Sequence, residues 1–166
     1  MRLFVALLLS NDMKNALLKI QRQLKEQCVS LSLTQPQNLH LTLAFIGETE
    51  RLSAASKAVD AAAGTPFDIA LQGAGHFGNL WWVGLKKSPF LQSCGERVQA
   101  ELRKRGFEIE DRAFRAHITV ARKTVCNQPI RLTVPEAGMR VQRISLMESC
   151  RDAGRLVYTE RYGRNL

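Results

Sequence analysis

Three histidines occur in this chain of 166 residues, and two of them sit in the same short pattern. His40-Leu41-Thr42-Leu43 recurs in form as His117-Ile118-Thr119-Val120, each copy closed by an alanine. On a β-strand, residues i and i+2 point to one face. Each copy therefore presents an imidazole beside a hydroxyl, with its branched apolar residues on the opposite face. Two imidazoles around one reacting group form a general acid/base pair, the neutral one taking a proton while the protonated one gives one. An ordinary pKa of about 6.5 lets both forms coexist near neutrality. A phosphodiester suits such a pair, because its attacking and leaving oxygens lie on opposite sides of phosphorus. Thr42 and Thr119 would then donate hydrogen bonds to the non-bridging oxygens. Arg122, which follows the second motif, would add a full positive charge.

Other chemistries find less support. Neither motif has a carboxylate or second histidine at ligand spacing, so no metal is expected. The four cysteines (Cys28, Cys94, Cys126, Cys150) form no CxxC pair, which argues against structural zinc. They read as reduced thiols of a cytoplasmic protein. No Gly-x-Ser-x-Gly elbow marks a serine hydrolase. His76 has no matching threonine and reads as a turn or surface residue. Trp81 and Trp82 are adjacent, so a strand would turn one into the core and leave the other free to stack on a base. In an ideal strand Phe45 falls on the opposite pleat from His40 and reads as core by default, although a bulge or strand end would redirect it. Arg112 and Arg115 either neutralise phosphates or are simply solvated, and the sequence does not separate these readings.

The elements that must position the two motifs follow from periodicity and turn chemistry. Arg2–Leu9 reads as a buried strand. Asp12 serves as an N-cap for a helix through Gln27, with Met13, Leu17, Ile20 and Leu24 on one face. Val29–Leu33 is a short strand, and Leu39–Ile46 is a strand stopped by Gly47. Leu52, Ala55, Val59 and Ala62 outline a second helix. Phe67–Leu71 and Leu80–Leu85 are strands flanking a glycine-rich turn at Gly73–Gly78. Ser88-Pro89 starts a third helix, striped by Leu91, Cys94, Val98 and Leu102 and closed by Gly106. Arg112–Ala121 carries the second His-x-Thr. Later strands are expected at Ile130–Val134, Met139–Ser149 and Leu156–Arg161. Strand, helix, His-x-Thr strand thus occurs twice, an internal duplication of an α+β unit.

Charge is distributed as unevenly as the motifs are evenly. Residues 1–83 hold 7 Lys/Arg and 6 Asp/Glu, a net of +1, and residues 84–166 hold 17 and 9, a net of +8. Arginine dominates that excess, and its planar fork suits bidentate phosphate contact. The plain reading is a basic surface without a particular partner, and the sharper one is an anionic substrate, with nucleic acid leading. Leu3–Leu9 is too short for a signal peptide core and lacks a cleavage site after it. Nothing approaches the roughly 18 apolar residues of a membrane span.

Asn38-Leu-His-Leu-Thr-Leu-Ala-Phe-Ile-Gly47 and Arg112-Ala-Phe-Arg-Ala-His-Ile-Thr-Val-Ala-Arg122 resemble the two signatures of the 2H phosphoesterase family. They are most similar to its branch of RNA 2′,3′-cyclic phosphodiesterases, also known as 2′-5′ RNA ligases, and Arg2-Leu-Phe-Val-Ala-Leu resembles that branch's first strand. Ala116 departs from the proline usual before the second histidine, and alanine can keep the same extended backbone. The resemblance implies one bilobal domain over residues 1–166. Its fold would be α+β with pseudo-two-fold symmetry, two antiparallel sheets lining a central cleft and helices packed outside. It implies hydrolysis of an RNA 2′,3′-cyclic phosphate end to a 2′-phosphate with no cofactor, and reversible 2′-5′ joining by the same pair. His40 is read as proton donor and His117 as proton acceptor, roles that pseudo-symmetry leaves exchangeable. RNA is the expected partner, a monomer the default state, and no membrane is involved. Two alternatives stand beside this: a nucleotide- or RNA-binding module without turnover, and a phosphodiesterase acting on a small cyclic nucleotide.

Overall fold

A computed structural model describes all 166 residues. The elements run β1 (Arg2–Leu8), α1 (Asn11–Gln27), β2 (Ser30–Leu33), β3 (His40–Glu48), α2 (Leu52–Ala62), β4 (Phe67–Phe77) and β5 (Leu80–Leu85). They continue α3 (Pro89–Lys104), β6 (His117–Val125), β7 (Gly138–Val141), β8 (Arg143–Asp152) and β9 (Arg155–Asn165). All strand pairs are antiparallel, in one sheet of order β3-β1-β8-β9 and another of order β2-β6-β5-β4-β7. The expected α+β class and repeat order are both present: β1 pairs β3, and β5 pairs β6. No helix is long and apolar enough to cross a membrane.

Helix faces match their periodicity. Met13, Leu17, Ile20 and Leu24 of α1 are buried, as are Leu91, Cys94, Val98 and Leu102 of α3. Burial of side chains of this size contributes about 1.5–3 kcal/mol each. The helices do not stay with the strand that precedes them. α1 packs on β2, β6 and β7, whereas α3 reaches β3, and α2 lies under β8 and β9. Strands are exchanged in the same way. β2, from the first half of the chain, flanks β6, and β8–β9, from the second half, flank β1.

Several expectations need correction. The N-cap of α1 is Ser10, whose Oγ accepts from the Met13 N–H at 3.3 Å, so the helix starts one residue before Asp12. Gly73–Gly78 is not a turn: β4 runs through it to Phe77, and only Gly78 and Asn79 make the bend. Small residues are needed there because a Cβ on Gly75 would lie 2.5 Å from the Trp82 ring. Ile130–Val134 forms no strand. Its backbone is held instead by glutamine side chains of α1, Gln27 bridging both polar groups of Arg131 and Gln23 those of Thr133. Met139–Ser149 is divided at Gln142, with β7 in one sheet and β8 in the other.

Both His-x-Thr strands carry a bulge at the same place. Val5 opposes Ala44 and Ala6 opposes Thr42, which leaves Leu43 as the extra residue of β3. Trp81 opposes Ala121 and Trp82 opposes Thr119, which leaves Val120 as the extra residue of β6. A bulged residue loses its place in the ladder, and each of these carbonyls finds a glutamine. Gln99 of α3 donates to Leu43 O at 3.1 Å, and Gln21 of α1 donates to Val120 O and Thr34 O, both at 2.9 Å. Each half's bulge is thus capped by the other half's helix.

Candidate active site

The bulge reverses the side-chain phase after each motif. Burial along both strands therefore runs half-buried, buried, half-buried, buried, buried, exposed, starting at His40 and at His117. The exposed sixth residue returns to the histidine face. It is Phe45 on β3 and Arg122 on β6. This corrects the reading of Phe45 as core: its ring is 68% exposed and lies 6.3 Å from that of Phe4. β3 and β6 approach within 8 Å between Cα atoms, and the charges of Arg122 and His117 act on His40.

Both imidazoles are oriented in the same manner. His40 Nδ1 lies 2.7 Å from the carbonyl of Asn38, and His117 Nδ1 lies 2.8 Å from that of Arg115. A carbonyl only accepts, so Nδ1 carries the proton in each ring and Nε2 is the nitrogen left to work. On His40 that nitrogen is 2.8 Å from Thr42 Oγ1, whose hydroxyl donates to it while the ring is neutral. Thr119 occupies the matching place on β6, in register with Trp82.

Aromatic rings back each histidine. Phe4 lies 5.0 Å from His40, and Tyr158 meets it edge-on at 5.2 Å. Phe77 and Trp82 stand at 6.0 and 6.5 Å from His117. Trp82 is therefore the tryptophan on the site face, while Trp81 packs partly against the core and stacks on His76 at 4.8 Å. Burial holds the His40 pKa below its ordinary value against the Asn38 hydrogen bond, and the charges of Arg122 and His117 add to the depression. These effects favour the neutral imidazole of His40 in the free protein.

Sequence reasoning missed Asn38 and Tyr158. Asn38 is buried, and its side chain donates to Leu156 O of β9 at 2.9 Å, which anchors the carbonyl that orients His40. A polar residue two places before a site histidine was the available signal. Tyr158 comes from a strand remote in sequence and left no signal at all. Arg112 makes an ion pair with Glu110. A concavity of about 520 Å³ lies against His76, Trp81, Ile130, Leu132 and Val134 and contains neither site histidine. The open cleft between β3 and β6 is the better candidate because the oriented imidazoles are there. No group of three or more His, Cys, Asp or Glu side chains converges anywhere in the chain.

The family profile for LigT-like phosphoesterases matches residues 7–81. An RNA 2′,3′-cyclic phosphodiesterase of Archaeoglobus fulgidus is 33% identical, over 74% of this chain and 72% of its own length. The chain belongs to the LigT-like phosphoesterase family. A second relative of the same description, from Methanothermobacter thermautotrophicus, is 28% identical over 96% of this chain and 95% of its own. The fold of this LigT-like phosphoesterase agrees with solved structures. A Thermus thermophilus protein matches with a TM-score of 0.84 at 26% identity, covering 100% of this chain and 98% of that one. Escherichia coli LigT complexed with 3′-AMP matches with a TM-score of 0.86 at 24% identity, covering 99% and 97%. The profile match ends at Trp81, so in this LigT-like phosphoesterase the second motif is outside it and rests on the geometry above.

Proposed function

We propose that this LigT-like phosphoesterase opens the 2′,3′-cyclic phosphate at the end of an RNA to a 2′-phosphate, with His40 and His117 as its acid/base pair. The observation that carries the reading is the matched orientation of two imidazoles on facing strands, each with Nδ1–H tied to the carbonyl two residues before it. The names of the relatives and the basic second half of the chain support RNA as the substrate class.

In this reaction water attacks phosphorus, the bond to the ribose 3′ oxygen breaks, and the two oxygens stand in line on opposite sides. The asymmetry between the halves supports the assignment of roles. Phe45 presents a ring on the strand of His40, a platform for the nucleobase. The ribose, and with it the leaving 3′ oxygen, then belongs to that side, and His40 Nε2–H donates the proton to it. Arg122 presents a guanidinium on the strand of His117, where the non-bridging oxygens are held and water enters. His117 Nε2 takes the water proton. Free His40 prefers its neutral form, which opposes the donor role, and an anionic phosphate beside it offsets that preference because a nearby negative charge favours the imidazolium. Thr42 and Thr119 donate to the oxygens whose charge grows in the transition state. Attack by the 5′-hydroxyl of a second RNA in place of water would give a 2′-5′ phosphodiester by the same proton transfers.

The test is product analysis on an oligonucleotide ending in a 2′,3′-cyclic phosphate, in the presence of EDTA. A 2′-phosphate product is expected, and His40→Ala or His117→Ala should each slow it by about 10²–10⁴-fold, the usual contribution of general acid–base catalysis. Undiminished turnover by the double variant would overturn the proposal. A 3′-phosphate product would reverse the choice of leaving oxygen.

A further inference from the structure

Arg2 stands at the start of β1 and is exposed. Arg2 opposes Ser149 of β8, and Ser149 in turn opposes Tyr158 of β9. Residues directly opposite one another in antiparallel strands share a sheet face. Arg2 therefore lies on the face that carries Tyr158, whose ring meets His40, and Phe4, two residues along the same strand, packs on His40 as well. Phe4 opposes Phe45, so Arg2 is the next position along β1 beyond the exposed ring.

The guanidinium of Arg2 has no acidic partner. Glu48, its neighbour across β3, faces the terminal ammonium of Met1 at 3.5 Å instead. Only seven of the 24 arginines and lysines are paired with carboxylates, and on the site face Arg2 and Arg122 are both unpaired. Burial pushes the Tyr158 phenol above its ordinary pKa, and the charges of Arg122 and then Arg2 pull it back, so both charges are felt at the same phenol. Arg122 is already assigned to the reacting phosphate in the function proposed above. A second unpaired guanidinium on this face is shaped for another tetrahedral oxyanion, which it can grip in a bidentate manner.

We propose that Arg2 binds the phosphodiester on the 5′ side of the terminal nucleotide, which makes the site selective for an RNA strand over a nucleoside 2′,3′-cyclic monophosphate. The inference rests on the function proposed above and names its substrate more narrowly. A nucleotide with its base on Phe45 and its cyclic phosphate between the histidines carries one further anion only if it is joined to a chain. The free cyclic nucleotide has a 5′-hydroxyl at that point and gains nothing from Arg2.

Three substrates with the same terminal nucleoside decide the matter: the cyclic mononucleotide, a dinucleotide ending in the cyclic phosphate, and that dinucleotide with a neutral methylphosphonate linkage. For the unaltered protein, kcat/KM on the charged dinucleotide should exceed that on the mononucleotide by about tenfold, and the neutral linkage should remove the advantage. Arg2→Gln should abolish the same ratio, show no further loss on the neutral linkage, and lower the salt slope by about 0.7, the single-strand value for one phosphate contact. Arg2→Lys should restore part of it. An equal fall on all three substrates, or no change in the ratio, would overturn the role of Arg2. Failure of the unaltered protein to open any of them would instead overturn the parent reading.

Discussion

Phe45 and Arg122 are the same residue of the repeat. Each lies five places after its histidine, and each is returned to the cleft by a bulge at the third place, Leu43 or Val120. The two halves share a backbone device and differ in what it displays. The proposed reaction uses that difference, with the nucleobase on the Phe45 side and the phosphate on the Arg122 side.

Truncation of these two residues should separate in the kinetics. Phe45→Ala removes a stacking surface of about 1–3 kcal/mol and is expected to raise KM with a smaller effect on kcat. Arg122→Ala removes charge stabilisation from the transition state and should lower kcat by about 10²–10³-fold. Steady-state rates on a cyclic-phosphate oligonucleotide check both, and matching losses would contradict the division of labour.

Gln21 and Gln99 should matter for stability in proportion to their burial. Gln21 is 3% exposed and serves two carbonyls; Val120 O keeps the Thr34 N–H at 3.0 Å, so Gln21→Ala loses two bonds and leaves Thr34 O unsatisfied, at a cost of about 1–3 kcal/mol. Gln99→Ala loses one bond at 3.1 Å and should cost less. Urea unfolding gives the comparison, and the reverse order would mean that the bulge carbonyls are served by something else.

The legible part of this protein was what repeats along the chain. The helix stripes, the strand–helix–strand order and the His-x-Thr pairs all depend on local period, and all appear as read. What failed depended on the partner strand. Phe45 reads as core by default because nothing in residues 40–45 says whether a bulge is present, and the bulge exists only against Val5 and Ala6. The Ile130–Val134 segment has the alternation of a strand, yet its hydrogen bonds go to glutamine side chains of α1. Gln142 divides one apolar run between two sheets, and no residue type marks that division. Asn38 carried a readable position beside His40, but its tie to Leu156 did not.

Acid should act on His40 in a definite direction. Its pKa is lowered in the folded state, chiefly by burial, so the unfolded chain binds its proton more readily. Above the unfolded pKa of about 6.5 both states are neutral and the residue has no effect. As pH falls below that value the native state loses stability relative to the unfolded one, until its own lower pKa is passed. Imidazole titration by NMR should place the His40 midpoint below 6.5 and show it rising when inorganic phosphate binds. Unfolding of His40→Gln should lack this part of the acid sensitivity between pH 7.5 and 5. A midpoint at or above 6.5 would contradict the burial argument.

Thiol reactivity should follow exposure and ionisation. Cys150 is exposed, whereas burial pushes Cys94 up to about 11, and burial with the neighbouring Cys126 pushes Cys28 to about 11. The thiolate is the reactive form. Iodoacetamide labelling followed by mass spectrometry should therefore find Cys150 modified first, with Cys28 and Cys94 slow until the chain unfolds.

The exchange of β2 and of β8–β9 between the sheets means that neither repeat can close on itself. Each would leave a ladder edge and an apolar face uncovered, as in two people whose coats share sleeves. The chain must commit residues from both halves before the two histidine strands are held together, so turnover and foldedness rise together. Fragments divided between α3 and β6 should be silent alone and regain catalysis only on mixing.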